Sequence, residues 1–205
     1  MIRTALEFIQ DELNLYVQKK DPDNFGNKNL GILSNIVSQD GTFEFDSSNG
    51  DIDHRIIISL VNIEECKLAE NQSYFTKGHN NQIQHVNPAV NLNLYILFTA
   101  YSDDYKSSLR NLSYVIGFFQ SNPVFTEDQF PHMNAKTNKP WQKIEKLLFD
   151  MHSLSLEHQN HLWASIGAKY LPSVLYKMRL LRIREMELKA ETPPIKEARL
   201  NNKNL

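Results

Sequence analysis

Val90-Asn91-Leu92-Asn93-Leu94-Tyr95-Ile96-Leu97-Phe98-Thr99-Ala100 places an apolar side chain on every second residue, with Asn91, Asn93 and Thr99 between them. Successive side chains of a strand point to opposite faces, so the run predicts a long strand. Val90, Leu92, Leu94, Ile96, Phe98 and Ala100 form its core face. Upstream, Ile56-Ile57-Ile58-Ser59-Leu60-Val61 is almost continuously apolar and β-branched, the pattern of a central strand buried on both faces. Before it, Leu30 to Val37 leads to the turn dipeptide Asp40-Gly41, the alternating Phe43 and Phe45, and a second turn at Asn49-Gly50.

The N-terminus has a different period. Ile2, Leu6, Ile9, Leu13 and Val17 fall on one helical stripe, widened by Ala5, Phe8 and Tyr16. Asp21-Pro22-Asp23 stops that helix, because proline lacks an amide proton and disfavours helix in the residue before it. Downstream of the long strand, Asp103 and Asp104 favour a helix start. Leu109, Leu112, Ile116 and Phe119 supply its stripe, and Ser121-Asn122-Pro123 its end. Ile144 to Met151 reads as a strand. Ser155 is the N-cap of a helix carrying Leu162, Trp163 and Ile166, closed by Gly167 and Pro172. Val174, Tyr176, Met178 and Leu180 then alternate as a last strand, with Lys177 and Arg179 on its other face. The alternation blurs at Leu180-Leu181, where a bulge or a switch to helix is expected.

The order α-β-β-β-α-β-α-β predicts an α+β (mixed α/β) fold, a single mixed, largely antiparallel sheet flanked by about three helices. Residues 64–87, 122–140 and 190–205 read as polar segments outside that core. The last, with Pro193-Pro194, is too poor in apolar residues to fold alone. The domain is therefore expected over 1–189, with an extended tail over 190–205. Following a strand directly, that tail reads either as disordered or as reaching a neighbour to add a strand to an exposed edge.

The chain has 205 residues, 41% hydrophobic and 22% charged, an ordinary globular balance for one domain. A net charge of −2 gives no global attraction to nucleic acid. One cysteine, Cys66, excludes an internal disulfide and a thiolate zinc cage within one chain. No apolar run approaches the roughly 20 residues that span a bilayer. Met1-Ile2-Arg3-Thr4-Ala5-Leu6-Glu7 lacks the unbroken apolar stretch of a signal peptide, so cytoplasmic synthesis is expected.

Catalytic signatures are missing: there is no phosphate-binding glycine loop, HExxH, GxSxG or dinucleotide fingerprint. His158 and His161, at i and i+3, have no carboxylate or cysteine at a recognised ligand spacing, so they read as solvated or hydrogen-bonded. His79, His85 and His132 read as loop surface. Cys66 follows Glu64-Glu65, which opposes thiolate formation. Glu64-Glu65 and Asp103-Asp104 fit strand-end and helix-start roles better than catalytic pairs. No cofactor or metal site is expected. Lys177, Arg179, Arg182 and Arg184, with Lys189, are the densest basic group. They read either as a solvated face or as a charged subunit interface, to which Pro193 and Pro194 of the tail are added.

Several segments resemble one family. Ile56 to Glu65, ending Val61-Asn62-Ile63-Glu64-Glu65, is similar to its strand signature. Asn87-Pro88-Ala89 with the strand that follows resembles its proline-led "Leu-Asn-Leu-Tyr-x-Leu-Phe" strand. Tyr114 to Phe125 is similar to its helix-end motif, and Leu162-Trp163-Ala164-Ser165-Ile166 with Pro172-Ser173-Val174-Leu175-Tyr176 resembles its closing block. The family is the N-terminal domain of cap, or tail-terminator, subunits of contractile injection systems, phage-tail-like particles of the virulence-cassette and antifeeding-prophage type. The match runs from residue 1 to about 185. It departs at Ala89, where a second proline is expected, and lacks most of what longer members carry after the domain. The resemblance implies a tail-terminator-like fold without an active site. It also implies a homo-hexameric ring seated on the last layer of inner-tube subunits and touching sheath subunits, in a particle released from the cytoplasm to the extracellular space. Nucleic acid and membrane are not among the implied partners. The rival readings are a soluble ligand-binding or enzymatic α/β domain and a nucleic-acid-binding module.

Overall fold

A computed structural model describes residues 1–38, 41, 55–66, 75–77, 83–85, 90–135, 143–183 and 190–192. Helix α1 (Ile2–Lys20) is followed by one helical turn, α2 (Pro22–Phe25), and strand β1 (Gly31–Leu33). Then come β2 (Arg55–Glu65), β3 (Phe75–Lys77), β4 (Ile83–His85), β5 (Val90–Tyr101) and α3 (Tyr105–Ser121). The chain continues through β6 (Val124–Thr126), β7 (Lys146–Met151), α4 (Leu156–Ile166), β8 (Ser173–Ile183) and β9 (Ala190–Thr192). The fold is α+β. Six strands form a mixed sheet in the order β1-β2-β5-β8-β7-β6, in which β1 runs parallel to β2 and every other pairing is antiparallel. Strands β3, β4 and β9 form a second, small sheet in that order.

The expected long strand is β5, at the centre. Leu94, Ile96, Phe98 and Ala100 are buried against α1 and α3, in one cluster with Ile56, Ile58, Tyr176 and Met178. Its other face is apolar only in part. Leu97 joins Ile57, Leu175, Ile36 and Trp163 under α4, while Asn93 and Thr99, expected on the polar side, are themselves buried. Both neighbours of β5 carry one extra residue. In β2 the register slips between Leu60 and Asn62, leaving Val61 over. In β8, Met178 opposes Leu94 and Leu181 opposes Leu92, which leaves two residues against Asn93. The blurred alternation at Leu180-Leu181 is therefore a bulge, and Leu181 returns to the core fully buried.

Helix starts follow local chemistry. Asp104 caps α3, accepting from the amides of Lys106 (3.3 Å) and Ser107 (3.0 Å). Ser155 caps α4 through the amide of His158 at 3.2 Å, and Gly167 closes that helix at φ 75°, the left-handed turn that glycine adopts most readily. Asp21 ends α1, caps α2, and accepts a 2.8 Å bond from the Tyr114 hydroxyl of α3. That bond, with the amide of Asn24, holds the Asp21 carboxyl below the usual carboxylate range.

Two expectations are corrected. Leu109 and Ile116 of the expected α3 stripe are solvent-exposed; the helix is rotated so that Ser108, Asn111, Leu112, Val115, Phe118 and Phe119 are buried. Phe118 and Phe119 must fill the aromatic layer over the sheet, where Phe119 lies 4.3 Å from Tyr176 and 4.6 Å from Phe149 between ring centres. Nor is 122–140 wholly outside the core. It supplies edge strand β6 and the fully buried Phe125, and Met133 is buried too. The 64–87 segment starts inside β2 and contains β3 and β4. The first three residues of the expected tail pair with β4 of the same chain. Asp40, Phe43, Phe45 and Asn49-Gly50 lie outside the described residues, as do 193–205.

Side chains also fasten the backbone at two places, one on β1 and one just before β7. The Asn14 amide donates to the Gly31 carbonyl (3.1 Å) and its oxygen accepts from the Gly31 amide (2.7 Å). Asn134 treats Ile144 in the same way, at 3.0 and 2.8 Å. Among the described residues, no helix is long and apolar enough to cross a membrane.

Candidate interaction surface

Helix α4 covers only part of the second sheet face. Beyond it, cross-strand register sets Glu64 opposite Asn93, Tyr95 opposite Lys177, and Lys177 opposite Asp150. These neighbours interact. Lys177 Nζ lies 2.7 Å from Glu64 Oε2 and 5.0 Å from the centre of the Tyr95 ring. The Tyr95 hydroxyl donates to the same Glu64 oxygen at 3.0 Å, and Asn93 Nδ2 at 3.4 Å. Arg179 pairs with Asp150. The result is a polar array across β2, β5, β8 and β7, with both signs of charge alternating.

Charge pairing shifts the proton affinities of the group. The Lys177 contact, with the Tyr95 and Asn93 donors, holds Glu64 below the usual carboxylate range. Glu64, then Tyr95, hold Lys177 above the usual amine range. A carboxylate satisfied by three donors makes a poor general base, because its proton affinity falls as its lone pairs are engaged. Such a face suits recognition and register better than proton transfer.

Of the sequence-predicted interface residues, the structure brings Lys177 and Arg179 together and gives each an acidic partner within the chain. Arg182 sits further along β8, its backbone opposite Asn91. Arg184, Pro193 and Pro194 lie outside the described residues. Sequence reasoning missed Glu64, Tyr95 and Asp150 as parts of this face. The usable signal was the position of Asp150 in its strand; the Glu64 contact depends on the Val61 bulge, which no residue pattern marks.

Among the described residues the histidines do not converge, and His79 lies outside them. His158 and His161 are exposed on α4, and among the described residues no group of three metal-ligating side chains forms. His132 is placed against α1, paired with the buried Glu12 and packed beside Phe8 and Phe130. Two hollows flank α4. One, of about 240 Å³, is lined by Leu97, His152, Leu154, Gln159, Trp163 and Leu175 among others. The second, of about 290 Å³, lies among Ile36, Val61, Leu162 and Ile166. Both are shallow and of mixed polarity, the second also lined by Asn35, Ser59 and Ser165, and the His152 ring packs edge-on against Tyr95 at 5.2 Å.

A family model described as the Pvc16 N-terminal domain matches residues 4–197. No curated protein matches the chain. Solved structures similar to the chain include the following two. One is a cryo-EM structure of the PVC sheath/tube terminator, in its extended state, from an extracellular contractile injection system. It is 13% identical with a TM-score of 0.66, over 100% of this chain and 64% of that one. The other is the tube-terminating cap of the anti-feeding prophage, 16% identical with a TM-score of 0.53, over 94% of this chain and 59% of that one. At such identities the likeness is one of fold. The chain spans less than two thirds of the length of either.

Proposed function

Because the chain belongs to the Pvc16 N-terminal domain family, we propose that it is a structural cap, or terminator, subunit of an extracellular contractile injection system. It forms a ring, of six copies in this reading, that ends the inner tube and couples it to the contractile sheath. The observation that carries the proposal is the likeness to the sheath/tube terminator, which extends over the whole of this chain.

The mechanism is geometric and requires no catalysis. Identical rings stack without limit unless the last one presents a face that the next cannot use. A terminator matches the tube end on one side and ends propagation on the other. If it also grips the sheath, sheath shortening is transmitted to the tube. Contacts that bear such a load bury on the order of 1,200–2,000 Å² each. The polar array around Lys177, Arg179, Glu64 and Asp150 offers one contact surface, with paired charges that fix orientation more than they add affinity. Arg182, Arg184, Pro193 and Pro194 extend the proposed interface along the chain. Synthesis is cytoplasmic, and the subunit leaves the cell as part of the particle.

Electron microscopy of particles from cells with and without this chain tests the proposal. Loss of length control or of sheath–tube attachment in its absence is expected. Particles of normal length with attached sheaths would refute it.

A further inference from the structure

The small sheet repeats the centre of the large one. Its order is β3-β4-β9, and the large sheet runs β2-β5-β8 at its centre. Each small strand belongs to the same stretch of chain as its counterpart. β2 leads to β3 through 66–74, β4 to β5 through 86–89, and β8 to β9 through 184–189. The segments next to the three central strands thus pair a second time, as a separate three-stranded arm that is antiparallel throughout.

Arms of this kind carry a problem of edges. Among the described residues, neither β3 nor β9 has a second strand beside it. Each strand is three residues long, so few main-chain bonds hold the arm together, and a sheet this small is marginal alone. Unpaired edges invite pairing with another chain. Here they are also non-equivalent, because one is β3 and the other β9. Pairing β3 with β3, or β9 with β9, would make a twofold dimer and leave the other edges open. Pairing β9 of one copy with β3 of the next leaves none open once the series closes.

We propose that β3-β4-β9 is a subunit-joining arm, in which the β9 edge of one copy pairs with the β3 edge of a second copy until a closed β-ring results. The strand directions are fixed by what is already paired. β3 and β9 are both antiparallel to β4 and so run the same way. Rotation about the ring axis preserves that sense, so the joint between copies is parallel. This inference rests on the ring-forming reading above and adds the element that makes the ring.

The test uses particles assembled in producing cells from chains in which Cys66, the sole cysteine, is serine. Single cysteines are placed at each position of β3 (for example Thr76→Cys) and of β9 (for example Glu191→Cys), alone and in every combination. After mild oxidation, non-reducing electrophoresis reads the products. The expected result is a ladder ending in one closed species, seen only when both strands carry cysteine. Disulfide dimers from single-cysteine chains would overturn it in favour of twofold pairing. So would the absence of any ladder from particles whose tube ends carry the chain by immuno-electron microscopy, a result that leaves the capping function intact. Particles whose tube ends lack the chain would refute both.

Discussion

The Asn14 side chain forms two hydrogen bonds with the Gly31 backbone, donating to its carbonyl at 3.1 Å and accepting from its amide at 2.7 Å. One amide group of α1 thus substitutes for a neighbouring strand at the β1 edge. A Cβ on Gly31 would lie 3.2 Å from both Ile58 Cδ1 and Leu13 Cδ2, which would have to give by a few tenths of an ångström.

Asn14→Ala removes both partners from a buried site, and each unsatisfied buried group costs about 1–3 kcal/mol. A clear drop in the urea midpoint without loss of secondary structure is expected. Gly31→Val should destabilise further by crowding Ile58 and Leu13. An unchanged midpoint for Asn14→Ala would show that water replaces the amide without cost.

Glu12 is buried beside Phe8 and paired with His132. His132→Ala leaves its carboxylate without that partner, which should cost about 1–3 kcal/mol. Adding Glu12→Met should recover most of the loss, because an apolar group needs no partner there. Thermal melts of the two variants check this. No recovery in the double variant would place the energy elsewhere.

The bond from Tyr114 to Asp21 predicts a pH dependence. Asp21 titrates below its ordinary value of 3.8 when folded. Its contribution is therefore full above about pH 4 and lost as the pH falls through the folded value. The stability gap between the wild type and Tyr114→Phe should be constant near neutrality and narrow under acid. A gap that widens on acidification would contradict the assignment.

Lys177→Ala with Arg179→Ala removes two solvent-exposed ion pairs, whose net contribution water and salt screen to little. The folded subunit should hardly change in a denaturant titration. If the array is a contact surface, retention of the chain on purified particles should fall markedly, as read by immunoblot. Exchanging the charges, Lys177→Glu with Glu64→Lys, should keep the ion pair and the stability yet still lower retention.

Much of this fold was legible because local chemistry and global packing agree. The 3–4 spacing of α1, the alternation of β5 and the caps at Asp104 and Ser155 depend on neighbours in sequence. Legibility failed where the choice was tertiary. Helix α3 has apolar residues on two sides, and only the aromatic layer over the sheet decides that Val115 and Phe118 go inward while Leu109 and Ile116 face water. Phe125 and Met133 sit among polar residues and turns, so their burial follows from the groove that β7 and α1 leave open. At the polar face, Lys177 and Arg179 were legible as charges on one side of a strand. Their partners were not, because Glu64 is 113 residues away from Lys177 and the pairing follows from register.

The surplus residue at Val61 acts as a parity switch. Upstream of it, Ile57 and Ser59 alternate with Ile56 and Ile58; downstream, Glu64 points to the side that odd-numbered residues occupied before. Were the same residues paired without that surplus, Ile63 would fall opposite Asn93 and Glu64 would turn towards the other side of the sheet; deleting Val61 itself should instead straighten the strand and keep Glu64 opposite Asn93. Loss of the surplus residue should therefore spare the polar face, whereas loss of one residue between Asn62 and Glu64 should invert it.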